Sequence, residues 1–559
     1  VIATTRVSPE QAALFDDLGD VGDGRAERTR NSMLWAAYAD ALGFISELAT
    51  EKALTRRTKG AELDHLMAWT RRVGGRGGVE VELPAGCWSD DTQLRMAVSR
   101  SISCHGFDVE AFARVEVPIW RSYALGGGRA TKAAAANLGK PKSLWYANTF
   151  RGWVDAGGNG AAMRVQPHVW ASADLDGGYM LDVITDSVCT HGHPRAIVGA
   201  CFHAATIAYC LRDGVVPGPS RWEEIAGELD DAPSLIEGHR SLGSTWVALW
   251  EQETGKRFCD AWRRTVDELR TAIGQVADSV NGADSTSEAY RGISARLGLT
   301  DKAQRGSGIL TPVAAVALAA AAEDAHDAAV VAANEIGTDT DTIATMAGAL
   351  LGACDAAIEP PEEPLDTDYL LREADRLVAV SRGGTTAGHS YPDILTWTAP
   401  QAQADALVQA DDRLLVDGLG EVTEHTVELS WTPGKDFAWQ WVRTGFGQTL
   451  LIKRRPELRS SRGGNALVAP SVATTTSRSD LVAKSPSEIT GQPAATPLSR
   501  SDLENALEFA RRRIDQNDAI GHAFRRVAQK GTPGDFLAFA RAIYDNLRCS
   551  EDAVTRGDG

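Results

Sequence analysis

None of the eight cysteines of this 559-residue chain stands in a C-x-x-C pair. Structural zinc sites and small-domain disulfide frameworks need tighter spacing, so neither is expected. Most of the cysteines lie in apolar surroundings and read as reduced core residues of a cytoplasmic protein. The longest apolar run, Ile309 to Ala322, is Ala-rich and short of the ~20 residues of a membrane span, so no membrane partner is expected. No stretch near Val1 joins a basic region to an apolar one, which is the pattern of a Sec-type signal. Basic residues are outnumbered, with 57 Lys and Arg against 75 Asp and Glu and a net charge of -18. A general nucleic-acid coat is thereby disfavoured, because phosphate binding needs a basic surface.

The apolar and charged fractions, 43% and 24%, are those of an ordinary globular protein. The length predicts two to four domains. Residues 1–28 show no clear periodicity and read as a lead-in. From 29 to 360 the texture is Ala-rich with apolar residues three and four apart, as in Leu94–Ile102, Ala196–Leu211 and Thr342–Ala353. That spacing predicts one large all-α domain broken by Gly-rich loops at 74–78, 126–128 and 157–160. Residues 217–304 read as helices with Trp246, Trp250, Phe258 and Trp262 on the buried side. After Pro360 and Pro361 come a helix over 367–379 and short alternating segments at 394–397, 413–416, 426–431, 439–442 and 449–453. The stretch 361–456 therefore predicts a helix plus a small β-rich domain. Residues 457–500 have linker composition, and 501–549 read as a helical pair.

Two motifs carry chemistry. Trp88-Ser89-Asp90-Asp91 and Asp339-Thr340-Asp341-Thr342 each run straight into an apolar-periodic helix. One Ser or Asp there is an ordinary N-cap, and for the second motif a cap plus an exposed acid is an equally good reading. Together they offer four carboxylates and several hydroxyls at helix starts. Converging carboxylates at ~4 Å repel by roughly 4 kcal/mol at an effective dielectric of ~20. A hard divalent cation (Mg²⁺, Mn²⁺ or Ca²⁺) resolves this, since every ligand is oxygen. Asp40 lies on an apolar helix and needs a partner inside the domain. The loop Gly158-Asn159-Gly160 reads either as a structural turn or as a helix-opening phosphate site. His191 and His193, in Thr190-His191-Gly192-His193-Pro194, read as structural when taken alone.

This ordered set, with Asp40-Ala41-Leu42-Gly43, Glu47, Ala161-Ala162-Met163-Arg164 and Gly306-Ser307-Gly308, resembles the ADP-ribosylglycohydrolase family over about residues 29–360. The resemblance implies a compact all-α domain. It also implies two Mg²⁺ ions, with Mn²⁺ as a substitute, ligated by Ser89, Asp90, Asp91, Asp339, Asp341 and Thr342. Gly158, Asn159 and Gly160 match the family's diphosphate loop, His191 a ribose-pocket histidine, and Glu47 a mobile acid over the metals. Ala39 and Thr338 stand where the family usually has Gly. The implied activity is hydrolysis of the bond between ADP-ribose and an acceptor, with Asp339 or Asp90 positioning or deprotonating the water and Glu47 assisting. The acceptor is a protein side chain, a nucleobase or a metabolite. The alternatives are a non-hydrolytic ADP-ribose sensor and an assembly component. The extra segment at 212–302 is expected to reshape the entrance. Residues 361–559 are expected to offer a protein or nucleic-acid contact through Lys453, Arg454, Arg455, Arg459 and Arg462, although a solvated strand end accounts for these as well.

Overall fold

The structure, a computed structural model, describes residues 9–460 except 76, 281, 282 and 387, then 500–511 and most of 520–543; for 9–23 it gives the backbone only. The expected linker therefore lies almost wholly outside the described residues, and the expected helical pair lies partly outside them.

Helix α1 spans Pro9–Ser46, so most of the expected lead-in is helical. Glycines and charges blur the periodicity of its first half. Where side chains are described, that half is docked by ion pairs of Arg28 with Asp355 and Arg30 with Asp375, and by Arg25 on the Ser172 carbonyl. The second half, from Met33 to Ile45, is buried on all sides. A β-hairpin follows, β1 (Trp69–Val73) paired with β2 (Val79–Leu83), inside the mainly helical region, and a second, two-residue pairing joins Ile102–Ser103 to Gly106–Phe107. The Gly-rich 74–78 segment is the turn of the β1–β2 hairpin rather than a helix break, and the alternation in Val79-Glu80-Val81-Glu82-Leu83 is the period-two signal for it.

The main packing elements are α2 (Asp90–Arg100), α3 (Arg129–Leu138), α4 (Pro194–Asp213), α5 (Phe258–Val276), α6 (Leu310–Ala321), α7 (Ala325–Asn334), α8 (Thr340–Gly352) and α9 (Thr367–Ser381). Of the described helices only α4 is long and apolar enough to cross a membrane, and 89% of its apolar window is buried in the core. Helices α1 and α8 cross at backbone contact. A Cβ on Gly348 would stand 2.6 Å from the Trp35 carbonyl oxygen, one on Gly352 2.6 Å from that of Asn31, and one on Gly43 2.4 Å from that of Thr340. Ala39 is accommodated because Gly348 faces it. This close crossing carries the start of α8 to the end of α1.

Trp246, Trp250, Phe258 and Trp262 are all buried, as their pattern predicts. Trp250 Nε1 donates to the Gly192 carbonyl at 2.8 Å, so the 212–302 segment supports the His191 loop from behind. None of its residues lines the cleft described below, which corrects the expectation that it reshapes the entrance.

Seven strands form the second region: β3 (Leu407–Ala410), β4 (Arg413–Val416), β5 (Gly420–His425), β6 (Ser430–Trp431), β7 (Ala438–Thr444), β8 (Thr449–Arg454) and β9 (Arg459–Ser460). Their order is β8-β7-β5-β4-β3-β9, with β6 also paired to β7. The expected segment at 394–397 is a turn instead, because Asp393 accepts the backbone N–H of Leu395 on its side chain and those of Thr396 and Trp397 on its carbonyl. The sheet is joined to the helices by a buried ion pair. Arg100 donates to both Glu116 oxygens at 2.8 and 2.7 Å, and to Gln448 beside β8 and Tyr369 on α9 at 2.6 and 2.7 Å.

Candidate metal centre and substrate cleft

Three chain segments build the site. Ser89 N-caps α2, its hydroxyl accepting the Asp91 N–H at 3.1 Å. Asp339 occupies the N-cap position of α8 but makes no side-chain capping bond; its Oδ2 accepts from Asn159 Nδ2 at 2.7 Å. It is therefore neither cap nor exposed acid. Asp341 is buried in the first turn of α8, its Oδ1 accepting the Thr342 N–H at 2.9 Å.

Asp40, Asp91 and Asp341 each bring an oxygen within 4.8 Å of the others. Asp40 is already committed. Its oxygens accept the Ser89 and Thr92 N–H groups at 3.0 and 2.9 Å and the Thr92 hydroxyl at 2.5 Å, so it is the anchor of the Ser89–Asp91 turn. Asp91 differs: its Oδ2 is buried and has no hydrogen-bond partner among the described residues. The fully buried Arg95 lies beneath both, donating to Thr345 on α8 and to the Met163 carbonyl.

The electrostatics show the strain. Burial, and then repulsion from Glu47, push the Asp90 carboxyl up to about 7. Burial and neighbouring carboxylates raise Asp91 and Asp341 well above the ordinary range. Asp339 is raised by burial and Glu47 against the pull of Asn159. An orphaned buried oxygen among acids that resist ionising together is the donor set a hard divalent cation satisfies, with no sulfur or imidazole in the cluster. The residues fit such an ion.

Above this floor opens a cleft of about 910 Å³, within the range of small-ligand sites. Its floor holds Asp90, Asp91, Asp339, Asp341 and Thr342, and its rim holds Arg129, Lys132 and Arg151. A match to the ADP-ribosylglycohydrolase family runs over residues 22–386. The chain belongs to the ADP-ribosylglycohydrolase family. Membership points to a hydrolase, and the family is generally metal-dependent. Among solved structures, a chain described as "ADP-ribosylglycohydrolase-related protein complex" is 18% identical, with a TM-score of 0.42, covering 64% of this chain and 99% of that one. At that TM-score the likeness is too loose to transfer detail. No curated protein matches the chain.

The cleft brings together every residue that the family resemblance assigns to substrate or metals, apart from Ser89, which is buried beside Asp90 and does not line the cavity. Two elements differ from expectation. Gly158-Asn159-Gly160 does not open a long helix; a short turn, Ala162–Arg164, follows, and the Asn159 N–H already donates to the Gly306 carbonyl at 2.9 Å. The ten-residue helix whose start lines the cleft is α3, introduced by Gly126-Gly127-Gly128. Glycine is required there, since a Cβ on Gly126 would collide with Asp90 Oδ1. His191 stands against Gly160, and burial pushes it down to about 3, so it is a neutral ring. A chain of contacts orients it: Asp186 binds Arg164, Arg164 donates to Thr190 at 2.8 Å, and the Thr190 hydroxyl lies 2.8 Å from His191 Nδ1. Arg95, Asp186 and Arg71 were not legible as site residues; an Arg or Asp within a helical or strand pattern carries no local signal of what it will face.

In the tail, Arg455 pairs with Asp405 and Asp436, Arg459 pairs with Asp405, and Lys453 lies over Trp439 at 4.8 Å. Arg462 lies outside the described residues.

Proposed function

We propose that the protein hydrolyses the glycosidic bond between C1″ of ADP-ribose and an acceptor, with two Mg²⁺ ions, or Mn²⁺ in their place, held by Ser89, Asp90, Asp91, Asp339, Asp341 and Thr342. The observation that carries this reading is the unpartnered, buried Asp91 Oδ2 among raised carboxyls at the bottom of a cleft whose rim is basic. Bound divalent ions would neutralise these acids, orient vicinal ribose hydroxyls and lower the pKa of a water.

The chain's own groups supply the rest. Arg129, Lys132 and Arg151 have no ion-pair partner among the described residues, and they suit the substrate diphosphate at the start of α3. His191, neutral and packed on Gly160, offers a ring face and one nitrogen to a ribose. Asn159 fixes Asp339, so one carboxylate is aimed rather than mobile. Asp339 or Asp90 takes the proton of the attacking water as its oxygen bonds to C1″, and the C1″–acceptor bond breaks with its electrons going to the acceptor.

The test is release of ADP-ribose from a panel of conjugates (arginine, serine, nucleobase, small metabolite) with Mg²⁺ and with chelator. Asp90→Asn and Asp341→Asn each abolish turnover and weaken metal binding if the reading holds. Full activity in both variants removes those residues from the reaction. Tight ADP-ribose binding without turnover on any conjugate identifies a sensor instead.

A further inference from the structure

Glu47 lies just beyond the end of α1, and its position is built by two arginines. Arg57 Nη1 donates to the Ile45 and Glu47 carbonyls at 2.7 and 3.0 Å, closing the last turn, and the next residue, Leu48, turns the chain away at φ 52°. Arg71, on β1, donates to Glu47 Oε2 at 2.8 Å, with both side chains more than four-fifths buried. Its guanidinium is pinned over Phe44 at 4.1 Å and near Trp69 at 5.7 Å, rings that meet edge to face at 5.3 Å. Its second terminal nitrogen, Nη1, is buried without a hydrogen-bond partner among the described residues, and Arg71 lines the cleft beside Asp90. The hairpin that carries Arg71 does not stand alone. Its strand β2 lies against β6 of the C-terminal sheet.

We propose that Arg71 is a positioning residue for Glu47: pinned over Phe44, it holds that carboxylate off the acidic floor. Glu47 faces opposite demands. The floor carboxylates repel it while they carry no cation and attract it once cations neutralise them, whereas Arg71 attracts it throughout. The ion pair therefore sets how far Glu47 shifts toward the metals when the site is loaded. The inference rests on the metal-dependent reading above.

The experiment titrates Mn²⁺ by its paramagnetic resonance signal into wild type, Arg71→Ala, Glu47→Gln and the double variant, each checked for native circular dichroism. Turnover is measured in parallel. Freed from its partner, Glu47 joins the floor, so Arg71→Ala binds Mn²⁺ about tenfold tighter, the change that about 1.4 kcal/mol produces, and kcat falls while KM holds. In the Glu47→Gln background the same substitution shifts affinity less than twofold. An equal shift in both backgrounds would overturn the proposal, since Arg71 would then act only as a repelling charge, and no shift in either overturns it too. Should Arg71→Ala not fold, Arg71→Gln, whose stem can still lie over Phe44, carries the test: a tightening that Glu47→Gln abolishes supports the pairing, and unchanged affinity in a folded variant rejects it. Absence of turnover in every protein with the Mn²⁺ coupling intact counts against the hydrolase alone. A wild type that binds no Mn²⁺ defeats both.

Discussion

Two aspartates less than 5 Å apart have opposite effects on this fold. Asp40 satisfies three donors at the start of α2, so Asp40→Ala strands buried N–H groups and is expected to cost about 2–4 kcal/mol with or without metal. Asp91 has a buried oxygen with no partner and a carboxyl raised by burial and by its neighbours. Asp91→Asn is accordingly expected to raise the melting midpoint of the metal-free protein by ~2 °C or more and to abolish the further rise on adding Mg²⁺. Thermal denaturation with and without chelator measures both. A metal-free Asp91→Asn less stable than wild type would show that the carboxylate is satisfied in a way the structure does not contain. The adjacent acids of the sequence already marked the site, but which Asp anchors and which one is left unpartnered depends on the direction each side chain takes.

At the scale of elements, the site exists because α1 and α8 touch along glycines. Gly348→Val would drive a side chain into the Trp35 carbonyl and push the helices apart, moving Asp341 away from Asp91. Calorimetry should show Mg²⁺ affinity falling about tenfold or more while far-ultraviolet circular dichroism keeps its helical form. The matched control is Gly274→Ala on α5, where an added Cβ meets nothing within 4 Å. That variant is expected to be neutral or to gain up to ~1 kcal/mol from helix propensity, with metal affinity unchanged. Helix periodicity made α2, α4 and α8 readable. The β1–β2 hairpin was harder, because its alternation is short and lies in an Ala-rich helical context. Two Gly-rich loops line the cleft: Gly126–Gly128 opens the longer helix, while Asn159 turns its side chain to Asp339.

For the whole molecule, the family region shares a buried polar network with the residues that follow it. The buried Arg100–Glu116 pair takes Gln448 and Tyr391 as further partners. A chain ended at 386 would leave that pair short of two of its hydrogen bonds and the sheet's apolar face exposed. It is expected to be insoluble or to melt far below the full chain, whereas an independent module would melt unchanged. The carboxylate floor also sets a pH dependence. Its acids have folded-state pKa values above their unfolded ones, so their stability contribution is complete below the ordinary carboxylate range and is lost as pH rises through about 7, the Asp90 value. The metal-free midpoint should therefore fall between pH 5 and 8, and saturating Mg²⁺ should flatten the fall. A midpoint that rises over this range without metal would contradict the clustered floor.

By itself the sequence determined the helical class, the acidic motifs at helix starts and the family, because periodicity and adjacency are properties of neighbouring residues. Tertiary structure alone decided that Asp40 anchors the Ser89–Asp91 turn, that Arg95 lies beneath the acids, and that Arg71 pairs with Glu47. Those roles arise from contacts between elements far apart along the chain, and no local pattern encodes which face of one helix will meet which turn of another.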